Sequence, residues 1–343
     1  MPIPQKVEAV IPQIERLLNV KGNQKLSKVP VAEFIRLLYE HNGSAYAVAK
    51  EIGGDHSTVA KRRKAIEEAG NIELPRSFRG AYAPTRRKEI SIEDAEGTWL
   101  IGSDAHYWPD ESNRPITSTA HRAFIAINDM LKPRYVVLNG DGFDAVRISR
   151  HQRTGWEYRP KLKDELEATQ NALHDIRTVN LNGKYIRTRG NHDNRFDTFL
   201  ADRASDFEGI KGFQLSDHLP GWESCLSIYI PRLMMIKHRW HNGIHAARNN
   251  AQKAGLSVLT GHLHSLKCVP VTDYTGTRYG VDCGMLASKD GPQFDYHEDS
   301  PVDWRSGFVV ATVSGGKLMP PETVEVVDED NGVIFWRGQK WQV

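Results

Sequence analysis

The sequence of 343 residues is poor in cysteine. It has three, Cys225, Cys268 and Cys283, without the close pairing of a thiolate metal site. That excludes a disulfide framework and leads us to expect a reducing, cytoplasmic setting. Long apolar runs are missing too, as is a positively charged start leading into an apolar stretch. A membrane partner and a secretory leader are therefore not expected. Net charge is also scarce: 45 Lys and Arg against 43 Asp and Glu leave +2. The whole molecule is thus no general polyanion binder, and any basic surface must be local. No internal repeat and no low-complexity tract appear. What is present, 39% hydrophobic and 26% charged residues, suits one large globular domain with a smaller one attached.

Residues 1–75 read as a small all-α domain. Val7, Val10, Ile11, Ile14, Leu17 and Leu18 recur at helical spacing, and Val31, Phe34, Ile35 and Leu38 form a second stripe. Ser44 can cap a short helix from Ala45 to Ile52. After the Gly53-Gly54 turn, Asp55 or Ser57 can cap another that runs to Ala69. The run from Ala49 to Arg62 resembles the helix-turn-helix domains of bacterial and phage proteins. On that reading Ser57 and Thr58 meet base edges, while Lys61, Arg62, Arg63 and Lys64 meet phosphates, so DNA is the expected partner of residues 1–75. A plain three-helix interaction module with a solvated basic face is the alternative. Residues 76–96, with Pro84 and the basic Arg76, Arg79, Arg86, Arg87 and Lys88, read as a basic linker.

From Gly97 the texture becomes α/β, and five strand-end motifs follow in order. They are Asp104-x-His106, Gly140-Asp141-x-x-Asp144, Gly190-Asn191-His192-Asp193, a single His after the strand at 233–237, and Gly261-His262-x-His264. Ligands gather outside the carboxyl ends of strands in open α/β sheets. Oxygen and imidazole without cysteine suit manganese, iron or zinc. Asp-x-His and His-x-His on extended backbone would put both side chains on one side. Asn191 offers an oxygen ligand, His192 can exchange a proton near pH 7, and Asp193 can orient that imidazole. Arg195 is the nearest candidate for a substrate phosphate; Arg147, Arg150, His151 and Arg153 are more distant ones.

The order of these motifs resembles the calcineurin-like metallophosphoesterase family, over about residues 97–343. The resemblance implies a β-sandwich flanked by helices and a site for two divalent metal ions, manganese expected, with iron or zinc as alternatives. By position, Asp104, His106, Asp141 and His264 would hold one ion, and Asp141 would bridge to the other, completed by Asn191, His238 and His262. His192 would donate a proton to the leaving oxygen or stabilise the phosphoryl charge, oriented by Asp193, and Asp144 would steady the Asp141 loop. One departure is Arg239, where members of the family often have Gly; it leaves His241 as a rival to His238. The implied activity is hydrolysis of phosphate esters by a metal-bridging hydroxide. Together with the basic helix it points to a phosphodiesterase or nuclease. The alternatives are a phosphomonoesterase, on protein or small molecules, and a DNA-binding protein with a residual phosphoesterase domain. The pairing of the two domains resembles phosphoesterases of phages and prophages, which would place the protein in a host cytoplasm.

Overall fold

The computed structural model describes residues 3–19, 29–41, 43–75, 89–153 and 155–343. The chain divides into two compact units, Met1–Arg86 and Arg87–Val343. The basic residues Arg76, Arg79, Arg86, Arg87 and Lys88 lie outside the described residues.

The first unit contains α1 (Gln5–Glu8), α2 (Ile11–Asn19), α3 (Val31–Glu40), α4 (Ala45–Ile52) and α5 (His56–Gly70). Its core gathers Ile14, Phe34, Ile35, Leu38, Val48, Val59 and Ile66. Each boundary has a local cause. The Ser44 hydroxyl accepts the Ala47 N–H, Gly53 closes α4 at φ 69°, and the Asp55 carboxylate accepts the N–H groups of Ser57 and Thr58. These are the side-chain caps and left-handed stop that helix ends require.

The second unit runs β1 (Glu89–Ser91), β2 (Gly97–Gly102), α6 (Thr119–Leu131), β3 (Tyr135–Asn139), α7 (Leu162–Thr178), β4 (Lys184–Thr188), α8 (Asn194–Arg203) and β5 (Glu223–Cys225). It continues through β6 (Ser227–Ile230), β7 (Met234–Lys237), α9 (Ala246–Ala254), β8 (Ser257–Thr260), β9 (Leu266–Asp273) and β10 (Gly276–Cys283). It ends with β11 (Gly307–Ser314), β12 (Lys317–Leu318), β13 (Glu322–Asp328), β14 (Val333–Trp336) and β15 (Gln339–Gln342). One sheet has the order β1-β6-β7-β8-β10-β9. The other has the order β15-β14-β13-β11-β2-β3-β4-β5, with β12 beside β11.

Strand alternation explains the layering. Trp99, Ile101, Tyr135 and Val137 of the larger sheet share one core with Ile228, Ile236, Leu259 and Val281 of the smaller sheet. Their neighbours Leu100, Val136 and Leu138 point the other way, onto Phe124 and Ile127 of α6 and Leu173 and Ile176 of α7. Strands buried on both faces read as continuous apolar runs, which is how β2 and β3 look in the sequence. The result is the expected sandwich flanked by helices. One boundary moves. β1 falls inside the segment expected to be linker and pairs in parallel with β6, Glu89 opposite Ser227, so the sandwich unit already includes residue 89.

Candidate metal centre

β2, β3 and β4 lie side by side and parallel, and so do β7 and β8. The motif residues all follow the carboxyl ends of these five strands. Asn139, the last residue of β3, ties the two sheets together there. Its side-chain amide donates to the carbonyls of Lys237 and Leu259, its Oδ1 accepts from the Thr188 hydroxyl, and its own carbonyl accepts from Ser103 Oγ and faces His238 Nδ1. The sequence motifs gave Asn139 no role.

The backbone there is not extended, as the Asp-x-His argument assumed. Asp104, His106, Asp141, His262 and His264 all have positive φ, between 42° and 74°. Non-glycine residues in this region carry strain that the surroundings must hold, and such residues cluster at functional sites. Here the holding contacts are visible. Backbone N–H groups of Asp104, His106 and Tyr107 donate to the carbonyls of Gly140, Asp141 and Gly142. A Cβ on Gly190 would overlap the Asp141 carboxylate and backbone, and one on Gly261 would overlap Ser103 and Asp104. Only glycine lets these loops approach so closely.

Two groups of ligand atoms result. In the first, Asp104 Oδ1 lies 3.2 Å from His264 Nε2 and 3.8 Å from His106 Nε2, and the two imidazole Nε2 atoms lie 3.2 Å apart. His106 is bonded to Asp144 through Nδ1 at 2.7 Å, so Nδ1 is the donor to that carboxylate and Nε2 is the atom turned to the cluster. Asp104 Oδ1 is buried and accepts no hydrogen bond. A buried carboxylate oxygen without a donor, facing two imidazole nitrogens, fits a cation. In the second group Asp141 Oδ2 lies 3.0 Å, and Asn191 Oδ1 3.2 Å, from His238 Nε2. His262 completes it. His238 Nδ1 sits 2.8 Å from the Asn139 carbonyl, which again fixes the tautomer and leaves Nε2 as a donor to metal. His238 is thus the histidine brought into the centre. His241 stacks on Trp240 and bonds through its backbone N–H to Asn250, outside the cluster.

The charges reinforce one another. Burial pushes the Asp104 and Asp141 carboxyls up, but the adjacent His238, with His264 at Asp104 and His192 at Asp141, holds both well below the usual range. Burial opposes a charge on His238, yet Asp141 and Asp104 push it up to about 9. Cations that bind here displace protons.

His106, Asp144 and His192 also lie close together, but this trio is a hydrogen-bond hub. Asp144 Oδ1 faces Nδ1 of both imidazoles, which are N–H donors, so neither ring offers an ion a lone pair on that side. This corrects two expectations. Asp193 does not orient His192; it is buried and accepts the backbone N–H groups of Asp141, Phe143 and Gly190. Asp144 takes the role expected of Asp193, and Asp193 steadies the Asp141 loop as Asp144 was expected to do. Arg195 donates from Nη1 to the Asp144 carbonyl at 2.8 Å, and its Nη2 lies 3.1 Å from His192 Nε2. It is held beside the general-acid candidate.

Further supporting residues escaped the sequence reading. Phe294 packs edge-on against His106 and His264, with ring centroids 5.1 and 5.5 Å away. Glu165 of α7 is buried and accepts the Val146 N–H, and burial, with the nearby Asp144 charge, pushes its carboxyl up to about 8. Because the folded state keeps this proton while the unfolded chain releases it near pH 4.5, stability contributed by Glu165 is lost as pH rises from about 4.5 to 8. Glu165→Gln should flatten that decline. Thermal unfolding followed at pH 5 and at pH 9 checks it, and parallel curves for both proteins would refute it.

In the first unit, Ser57, Lys61 and Lys64 of α5 are exposed, and Thr58 and Arg63 partly so. Arg62 departs from the expectation. It is 8% exposed, lies over the Phe34 ring at 4.5 Å and donates to the Val29 carbonyl. It therefore belongs to the core stripe Val59, Arg62, Ile66 and is not free to meet a phosphate.

No family model matches the chain. A Gene 54 protein of Mycobacterium phage D29 is 26% identical over 243 residues, 62% of this chain and 88% of the relative. Among solved structures, zinc-complexed Vps29 of Entamoeba histolytica aligns at 12% identity with a TM-score of 0.37, over 71% of this chain and 98% of that one. An archaeal phosphodiesterase aligns at 18% identity with a TM-score of 0.32, over 67% and 99%.

Proposed function

We infer that this chain, a calcineurin-like metallophosphoesterase by the order and convergence of its five motifs, hydrolyses phosphate esters with two divalent cations, and that its substrates are nucleic-acid phosphodiesters. The observation that carries the chemistry is the largely buried pair of ligand groups, Asp104, His106 and His264 beside Asp141, Asn191, His238 and His262, with both His106 and His238 fixed to present Nε2. Cations held there would supply Lewis acidity, neutralising phosphoryl oxygens and lowering the pKa of water.

The chain's own groups do the rest. Asp144 holds the His192 ring through Nδ1, so that Nε2 is the atom facing a leaving oxygen. Arg195 now occupies the Nε2 lone pair. When Arg195 turns its fork to a substrate phosphate, Nε2 is released to carry a proton and give it to the leaving alkoxide. The relative in a Mycobacterium phage supports placing this activity in a phage-infected host cytoplasm.

Nucleic acid is favoured by α5, an Asp55-capped helix that carries Lys61, Arg63 and Lys64. We expect the full chain to bind duplex DNA with a steep salt dependence. Lys61→Ala with Lys64→Ala should reduce the log–log slope by about 1.8, two contacts at about 0.9 each. Arg62→Ala should instead lower the unfolding temperature of the helical unit, since it removes a buried cation–π and hydrogen-bonded group. An unchanged slope in the double variant would remove α5 from the DNA interface. The function itself is tested by assaying manganese-loaded protein in parallel on bis-p-nitrophenyl phosphate, p-nitrophenyl phosphate, and single- and double-stranded DNA. Preferential turnover of the diester and of DNA is expected. Preference for the monoester would make the protein a phosphomonoesterase.

A further inference from the structure

We propose that residues 147–153 and 155–163, which begin in the 3-10 turn Val146–Ile148 shortly after Asp144, are a platform for single-stranded nucleic acid. Trp156 and Tyr158 stack on bases there, while Arg150 and Arg153 meet phosphates. The proposal rests on the phosphodiester reading above and names the form of nucleic acid that reaches the site.

Three observations carry it. The first is exposure. Trp156 is 101% exposed and Tyr158 68%. Aromatic rings are enriched where partners bind, and here two exposed ones lie two residues apart. The second is that the segment is built to present them. Between and after the two rings, Glu157 and Arg159 turn inward and pair at 2.9 Å. The Arg159 guanidinium also donates to the carbonyls of Val146, His151 and Gln152, and its own carbonyl accepts from Arg147 Nε. Arg159 thus braces the loop from within. Trp156 lies in a turn and Tyr158 follows two residues on, so one short stretch of the loop offers two rings to a strand of bases. The third is charge. The segment carries Arg147, Arg150, Arg153, Arg159, Lys161 and Lys163 against Glu157 alone, in a chain whose net charge is only +2.

Basic residues interleaved with aromatic ones are the signature of single-strand binding, in which cations follow the backbone and rings stack on base faces. A duplex hides those faces inside its own stack, so the exposed rings favour an unpaired strand. This platform is separate in sequence from α5.

The test uses the full-length chain, with chelator present to prevent cleavage. Binding of a fluorescent oligothymidylate of about 20 nucleotides is compared with binding of a duplex of equal length. Trp156→Ala combined with Tyr158→Ala should weaken oligothymidylate binding by at least about tenfold. The same variant should leave duplex binding and the thermal unfolding midpoint unchanged. Trp156→Phe, which keeps a ring, should bind oligothymidylate nearly as the unmodified chain does. The proposal is overturned if the double variant binds oligothymidylate as well as the unmodified chain, or if it loses oligothymidylate and duplex to the same extent. Failure of the unmodified, manganese-loaded chain to hydrolyse bis-p-nitrophenyl phosphate would strike the phosphodiester reading instead, and the platform would still be decided by the binding data.

Discussion

Asp141→Asn is expected to abolish turnover of bis-p-nitrophenyl phosphate, by more than about a thousandfold, and to remove bound metal. Several kcal/mol of charge stabilisation go with the cations, and each 1.36 kcal/mol is a factor of ten. Asp141 Oδ2 lies 3.0 Å from His238 Nε2, while Oδ1 accepts the His192 N–H at 2.7 Å. The carboxylate thus reaches the second ligand group and the loop that carries Asn191 and His192 at once. An amide removes the negative charge and can point N–H groups where a lone pair is needed. Metal analysis beside the kinetics checks the prediction. A variant that keeps its full metal complement and its rate would show that Asp141 is no ligand.

His192→Ala should slow turnover by about a hundredfold to ten-thousandfold, the usual range for loss of a general acid, with the metal content retained. His192 contributes no atom to either ligand group described above; its ring is held by Asp144 and flanked by Arg195. The loss should depend on the leaving group. A nitrophenolate departs with little need of a proton, so a nitrophenyl ester should suffer less than an alkyl diester or DNA. Equal losses on all substrates would assign His192 a purely electrostatic part. Loss of metal would place it among the ligands.

Much of this was legible in the sequence because its causes are local. Ser44, Gly53 and Asp55 sit at the ends of α4 and α5 as side-chain caps and a left-handed stop, and the short apolar runs of β3, β4 and β8 end where Asn-Gly, Arg-Gly and Gly-His interrupt them. Two of the strands that escaped, β1 and β5, are three residues each and are defined by partners far along the chain, Ser227–Tyr229 for β1 and Ile186–Thr188 for β5. Nothing in three residues encodes such a pairing.

The site divides in the same way. Motif order pointed to the ligand residues. The partner of His192 was misread because sequence adjacency is not spatial adjacency. Asp193 enters α8 with its carboxylate turned back to three backbone N–H groups, while Asp144, 48 residues before His192 in sequence, reaches both His106 and His192. Arg62 was available to a closer reading. Val59, Arg62 and Ile66 fall three and four residues apart, the spacing of a buried helical stripe, and the guanidinium was counted by its charge alone.

The central claim is that these residues hold cations on which phosphodiester hydrolysis depends. The most direct test strips the protein of metal with a chelator, then titrates manganese back while following bis-p-nitrophenyl phosphate hydrolysis. We predict no turnover from the stripped protein and a rise that saturates at about two equivalents per chain, the two-metal arrangement of this chemistry. Undiminished turnover by the metal-free protein would contradict the account.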